Sequence, residues 1–525
     1  MGNEPSQATA NPYDAVPYRA LPYPFTHPRH LEAMATLFGM QPPDITRCRV
    51  LELGCAAGSN LIPQALDLPE STFLGIDLSS RQVQEGQETI EALGLRNIEL
   101  RHANILDVDD GWGKFDYIIS HGVFSWIPAE VQDKLLQVSA DNLAPNGVAF
   151  VSYNTYPGWH LAAIVRGLMR YHAAQFDDAQ AQIAQAKALL TFMADLSNKS
   201  RALGQLLHEE LDLLQAVNND SYLFHDHLET DNTPLYFHEF VERAEAKGLQ
   251  YLADAQFSTM LLRNLPEKAQ QALHGLPAVR QEQYMDFLRG RRFRKTLLCH
   301  RDVQVKRCVN PEGMRQFHFS LAGEVKTEDV DIRNEKPCQF TVDGKGFCTS
   351  NRLTKAALMY LKEVHPRHVH FQELYVTALA RVGTSRPGGA HDPTSSAKTL
   401  ANNLLVGYTI DLLEITLHPP RCVVQVSPRP LASPLARLQA ARGNRVTTQL
   451  HGTVGLDAFG QRLLSRLDGS HRRSDLLACA EEAIEAGEVK VESGDRPVKK
   501  VDPATLSSIL DQALARFSES ALLIG

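Results

Sequence analysis

Val50-Leu51-Glu52-Leu53-Gly54-Cys55-Ala56-Ala57-Gly58-Ser59-Asn60 is the stretch on which the reading of this chain turns. An apolar run suited to a buried strand enters a loop of small residues, and a helical pattern begins at once. Small residues are needed there because the backbone must turn sharply and approach a ligand closely. The first N–H groups of the helix then point outward as donors. A dinucleotide fingerprint asks for glycine at positions 54, 56 and 59, but the last two are Ala56 and Ser59. The other pattern such loops follow, acidic-x-Gly-x-Gly-x-Gly, is met at Glu52, Gly54 and Gly58, with Ala56 at the middle position.

Strands and helices alternate around this loop. Strands are expected at 49–53, 72–76, 98–102, 117–120 and 147–153, with helices at 60–66, 80–93 and 129–143. Strands that read as apolar runs, not period-two patterns, predict a parallel sheet covered on both faces, a doubly wound α/β domain. In such sheets ligands bind at the carboxyl ends of the strands. Asp77 in Gly75-Ile76-Asp77-Leu78 ends the second strand, about twenty residues past the loop, where an acidic side chain takes ribose hydroxyls. Its alternative role is helix capping ahead of Ser79-Ser80. Ala103-Asn104-Ile105-Leu106-Asp107 and Ser120-His121 end the third and fourth strands.

The Pro/Tyr-rich residues 1–45 read as an N-terminal arm or lid. The α/β domain is expected over 46–303, with helical insertions at 160–235 and 264–290; a separate helical domain at 160–303 fits the sequence as well. Residues 304–428 carry strands at 316–321, 339–342, 410–417 and 421–426 around helices at 353–364 and 371–381, the pattern of a winged-helix-like α+β module. A linker with Pro428, Pro430 and Pro434 precedes a second such module at 435–525.

The chain has 525 residues, 43% hydrophobic and 22% charged, with a net charge of −8. This acidic balance argues against a nucleic-acid partner, and no apolar run reaches the length of a membrane span. The eight cysteines form no Cys-x-x-Cys and read as free thiols in a reducing cytoplasm. His365-Pro366-Arg367-His368-Val369-His370 reads as a polar loop entering a strand; no metal-ligand set is recognised.

Long stretches resemble one family: Tyr13 to Tyr18, Leu51 to Gly58, Asp116 to Pro128, Val151 to His160, Tyr236 to Phe240, Gly248 to Leu252, Arg291 to Cys299, Ser433 to Ala440 and Leu467 to Gly469. They are similar to class I (Rossmann-like) methyltransferases with a methyltransferase regulatory domain, among them the rickettsial-type protein-lysine methyltransferases. The resemblance implies S-adenosyl-L-methionine as cofactor, held by Glu52, Gly54, Cys55, Ala56, Gly58, Asp77, Leu78, Asn104, Ile105 and His121. It implies a protein or peptide lysine as substrate. A small-molecule acceptor and a cofactor-sensing regulator are the competing readings. On the acceptor side, His121, Tyr153, Asn154 and Tyr156 are the expected catalytic residues, with Trp126 and Trp159 as aromatic walls. Positioning dominates in-line methyl transfer and is worth up to roughly 7–11 kcal/mol.

Overall fold

The apolar runs become strands of one seven-stranded sheet. They are β1 (Arg49–Leu53), β2 (Thr72–Asp77), β3 (Ile98–His102), β4 (Phe115–Ser120), β5 (Leu143–Asn154), β6 (Leu249–Asp254) and β7 (Phe293–His300), in the order β3-β2-β1-β4-β5-β7-β6. The first five are parallel and β7 runs antiparallel to β5 and β6. The strand order reverses at β1, which pairs with β2 on one side and β4 on the other, so the crevice of the sheet opens beside the loop after β1. The computed structural model describes residues 21–217, 220–328, 330–342, 344–383, 393–489, 492–493, 496–497 and 501–525. The first twenty residues of the expected arm, Lys499-Lys500 and most of the 383–396 loop lie outside them.

The described residues form two units, 47–62 with 70–303, and 22–46 with 63–69 and 304–525. In the first, helices Ser80–Leu93, Ala129–Asp141 and Phe237–Ala246 accompany the sheet. Its core joins Leu51, Ile76, Ile118, Phe124, Tyr153, Phe240 and Leu298. Because β6 and β7 return to the same sheet, the helices Gly158–Ala173, Ala179–Leu196 and Ala202–Val217 are an insertion between β5 and β6. They have a small core of their own, including Met169, Leu190 and Leu207.

In the second unit, β8 (His318–Leu321) lies between strands Val369–His370 and Leu413–Thr416, and a hairpin of Cys338–Val342 with Lys345–Thr349 stands beside Lys326–Thr327. The strand expected at 421–426 is absent: Pro419 and Pro420 remove two donors, and the carbonyls of Val423 and Val424 accept from the Ser518 hydroxyl instead of a neighbouring strand. The last helices, Pro434–Arg442, Ala458–Ser465, Arg473–Glu485 and Pro503–Glu519, close on a separate core around Leu463, Ala480 and Leu510. Among the described residues no helix is long and apolar enough to cross a membrane.

One ion network is sealed inside the first unit. Arg294 on β7 donates to Glu282 Oε2 at 2.9 Å and to both Asp286 oxygens at 2.8 and 2.9 Å, and its guanidinium lies 3.6 Å from the Phe237 ring centre. The Tyr251 hydroxyl donates to Glu282, and Arg291 pairs with Asp254 at 2.6 Å. Removing one partner leaves buried charge uncompensated. Arg294→Met is expected to cost about 3–5 kcal/mol, read as a lower urea midpoint.

Candidate active site

The loop after β1 is clamped to the tip of β2. The Gly54 and Cys55 N–H groups both donate to Ile76 O, at 2.8 and 2.9 Å. Gly54 has φ +79°, and a Cβ there would stand 2.4 Å from Val123 Cγ2, so both the turn and the packing exclude a side chain. Ala56 takes the left-handed conformation too, at φ +49°, which costs a side-chain-bearing residue about 1–2 kcal/mol. Its N–H donates to Asp77 Oδ2 at 2.8 Å, while Asp77 Oδ1 accepts from Ser79 N–H at 2.8 Å. The helix cap is Ser79, whose hydroxyl accepts from Gln82 N–H. Asp77 therefore holds the loop.

Beneath the loop, Glu52 is 3% exposed. Asn60 donates to its Oε1 at 2.7 Å, and Oε2 is buried with no hydrogen-bond partner among the described residues. Burial pushes its carboxyl up to about 8, opposed by the Asn60 bond and reinforced by the Asp77 charge. Burial also raises the Cys55 thiol. At the next two strand tips, Leu78 is 57% and Leu106 39% exposed, while Ile105 is buried. Asn104 caps the turn Ile105–Asp107, its side chain accepting from Leu106 N–H at 3.0 Å. A small-residue cradle, a shared carboxylate and uncovered aliphatic side chains fit a nucleoside with a charged tail.

At the tips of β4 and β5, Ser152, which the sequence reading did not single out, organises the turn at His121. Its hydroxyl accepts from Gly122 N–H at 2.8 Å and meets His121 Nδ1 at 2.8 Å. Phe150 and Phe293 stand edge-on to the imidazole. Burial, with Lys295 adding to it, pulls His121 down to about 3, so the ring is neutral. A serine within the apolar run Val148–Tyr153 was the available signal.

Tyr153 belongs to the core of the first unit. It is 1% exposed, stacked on Phe240 at 4.0 Å, with its hydroxyl 3.1 Å from Thr296 Oγ1, which makes it part of the core. Asn154 is also buried: its N–H donates to Ser125 Oγ at 2.8 Å and its amide to Asn232 Oδ1 at 3.0 Å. Tyr156 lies nearer the surface, stacked on His160 at 3.9 Å and 5.2 Å from Tyr236. Trp126 and Trp159 stand perpendicular, 6.3 Å apart, with Arg166 5.9 Å over Trp126. The segment 232–235, which carried no sequence signal, is bonded across these tips. Thr233 N–H donates to Ser125 O, Leu235 N–H to Asn154 O, and the Thr155 hydroxyl to Leu235 O.

Known proteins carry the same parts in the same order. The family described as "Methyltransferase domain" matches residues 51–149, "Predicted methyltransferase regulatory domain" matches 219–300, and "PKMT, C-terminal winged helix domain" matches 428–522. An uncharacterized protein of Rickettsia prowazekii (strain Madrid E), RP789, is 36% identical, over 98% of this chain and 94% of its own length. The structure of PKMT2 from Rickettsia typhi is 31% identical, with a TM-score of 0.87 over 97% of this chain and 100% of that one. The same protein in complex with AdoHcy gives 0.86 over the same shares.

The Glu52 carboxyl titrates near its ordinary 4.5 when unfolded and at about 8 when folded. The folded chain thus holds the extra proton in that window, and stability present below pH 4.5 is lost as pH rises through 8. Glu52→Gln is expected to stabilise the ligand-free protein at pH 8 by up to ~4 kcal/mol, read as a higher melting temperature, and not at pH 4.5. Equal gains at both pH values in thermal scans would contradict this.

Proposed function

We propose, from the premise that the chain belongs to the methyltransferase family of Rickettsia PKMT2 and uses S-adenosylmethionine, that its acceptors are lysine side chains of proteins. The cofactor, when bound, supplies a methyl group on a positively charged sulfur that departs as a neutral thioether.

Gly54, Cys55, Ala56 and Gly58 would offer the close backbone approach, and Asp77 would take the ribose hydroxyls. Leu78, Asn104 and Ile105 would flank the base, and Glu52 with its spare oxygen would accept a donor from the charged tail. His121, neutral and fixed by Ser152, would shape the cofactor side of the passage to the acceptor. Asn154 would act by tying residue 232 to the tip of β5.

The observation that carries the acceptor assignment is a pair of aromatic groups beyond the tips of β4 and β5, Trp126 with Trp159 and Tyr156 with His160 and Tyr236. A lysine must be neutral to attack, and from a pKa near 10.4 this costs roughly 4–5 kcal/mol at neutral pH. Aromatic walls offset part of that by withholding water from the ammonium, and their faces stabilise the cationic methyl donor. A protein acceptor also gives the second unit a role, since winged-helix modules offer strand edges to extended peptides. Free thiols at all eight cysteines suit work in the reducing cytoplasm.

Asp77→Ala is expected to weaken calorimetric binding of S-adenosylmethionine by about 10–100-fold, the loss of charge-assisted bonds worth ~1.5–3 kcal/mol. Unchanged affinity would remove Asp77 from the site. With a methyl-labelled donor and cell-lysate proteins, label is expected in protein, and to disappear when the lysates' lysines are first acetylated chemically. Label confined to small molecules, or retained on lysine-blocked protein, would overturn the acceptor assignment. Trp126→Ala is expected to lower kcat/KM for the protein acceptor about 10–100-fold in steady-state assays.

A further inference from the structure

Three remote stretches of the second unit converge on one point: the helix Pro28–Leu37, the turn at Asp44, and the chain leaving the strand Leu413–Thr416. His418 Nε2 lies 3.3 Å from Glu32 Oε1 and 3.7 Å from Asp44 Oδ1. One ligand atom from each of the three residues lies within 4.8 Å of the other two. Glu32 is only 3% exposed, and its second oxygen, Oε2, is buried with no hydrogen-bond partner among the described residues. A carboxylate so placed is costly unless a cation compensates it.

The neighbouring positive charge is already engaged. Arg29 donates from Nε to the His418 carbonyl, and its guanidinium pairs with Asp67, which also meets His27 Nε2 at 3.3 Å. The groups behind the donors are oriented as well. Asp44 Oδ1 accepts from the Thr46 N–H at 2.9 Å and hydroxyl at 2.8 Å, and the Thr416 hydroxyl donates to His418 O at 2.9 Å. Such supporting bonds fix ligand geometry in metal sites.

Donor atoms on a tetrahedral ion with bonds of about 2.0–2.1 Å stand about 3.3–3.4 Å apart. The His418–Glu32 separation matches this, the His418–Asp44 separation exceeds it by a few tenths of an ångström, and all three ligand atoms lie within 4.8 Å of one another. We propose that Glu32, Asp44 and His418 bind a divalent zinc ion, which clips the N-terminal helix of the second unit to the end of its strand Leu413–Thr416. Three protein ligands leave a fourth position for water, and the exposure of Asp44 and His418 gives the ion its entry path. The histidine run at 365–370 takes no part.

The test uses the full-length protein, stripped with a chelator and titrated with zinc by calorimetry and thermal scanning. One equivalent per chain and a rise in melting temperature are expected. Glu32→Gln and His418→Ala are expected to weaken binding at least 10-fold and abolish the thermal gain. Asp44→Asn, which alters an exposed group, tests the site even if a buried substitution impairs folding, and is expected to weaken binding as well. His471→Ala, at the surface beside Asp468, serves as a control and leaves binding unchanged. No zinc uptake by folded protein, with His418 titrating as a cation between the two carboxylates, would overturn the proposal. So would uptake that the Glu32, Asp44 and His418 substitutions leave untouched.

Discussion

The carboxylate of Asp77 spends one oxygen on the Ala56 N–H and the other on the Ser79 N–H, and the binding end of the first unit is organised around that bridge. It joins the loop after β1 to the start of the helix after β2. Charge-assisted bonds of this kind are worth about 1.5–3 kcal/mol, enough to hold Ala56 at its positive φ without a ligand. A site whose geometry is fixed in advance loses little on binding. The residue that shapes the pocket is thus also the one expected to read the sugar.

The sheet and its switch point were legible because their signals are local: apolar runs, a loop of small residues, and helices that start beside it. Helix Ser80–Leu93 appears with the ends expected, and Gly94 in the left-handed conformation closes it. What was not legible depends on partners remote in sequence. In β5, a strand covered on both faces, alternation gives no clue to which side chain looks outward, so Tyr153 read as a site residue when it fills the core. The run 421–426 has strand propensity, yet the hydroxyl that takes its carbonyls comes from residue 518. Asn60, which sits in the deciding motif itself, was passed over: Glu52 was read as a cofactor residue, and nothing in the sequence pairs it with the amide eight residues on.

Burial drives the titratable groups of the pocket toward their neutral forms. Glu52 and Tyr156 are pushed up and His121 down, each chiefly by loss of solvent. Asp77 keeps two backbone donors, the Ala56 and Ser79 N–H groups. A pocket arranged in this way holds little compensating charge of its own, and a cationic ligand entering it would favour ionisation of Glu52. Low local dielectric strengthens every such interaction, and the bonds laid down by residues 232–235 across the strand tips add cover at the reacting end.

That same dryness bears on where the acceptor's proton goes. An imidazole pulled down to about 3 is a far weaker base than ordinary histidine, so His121 is ill suited to deprotonate a lysine. Its bond to Ser152 and its edge contacts with Phe150 and Phe293 give it a fixed orientation, the property of a positioning group. On the proposed reading of a lysine acceptor, the proton would leave before transfer, as the ammonium is stripped of water on its way past the aromatic side chains. On this account the walls around Trp126, Tyr156 and Trp159 do the work that a general base does elsewhere. Acidity of the acceptor is then set by the passage it enters, not by a side chain waiting at the end of it.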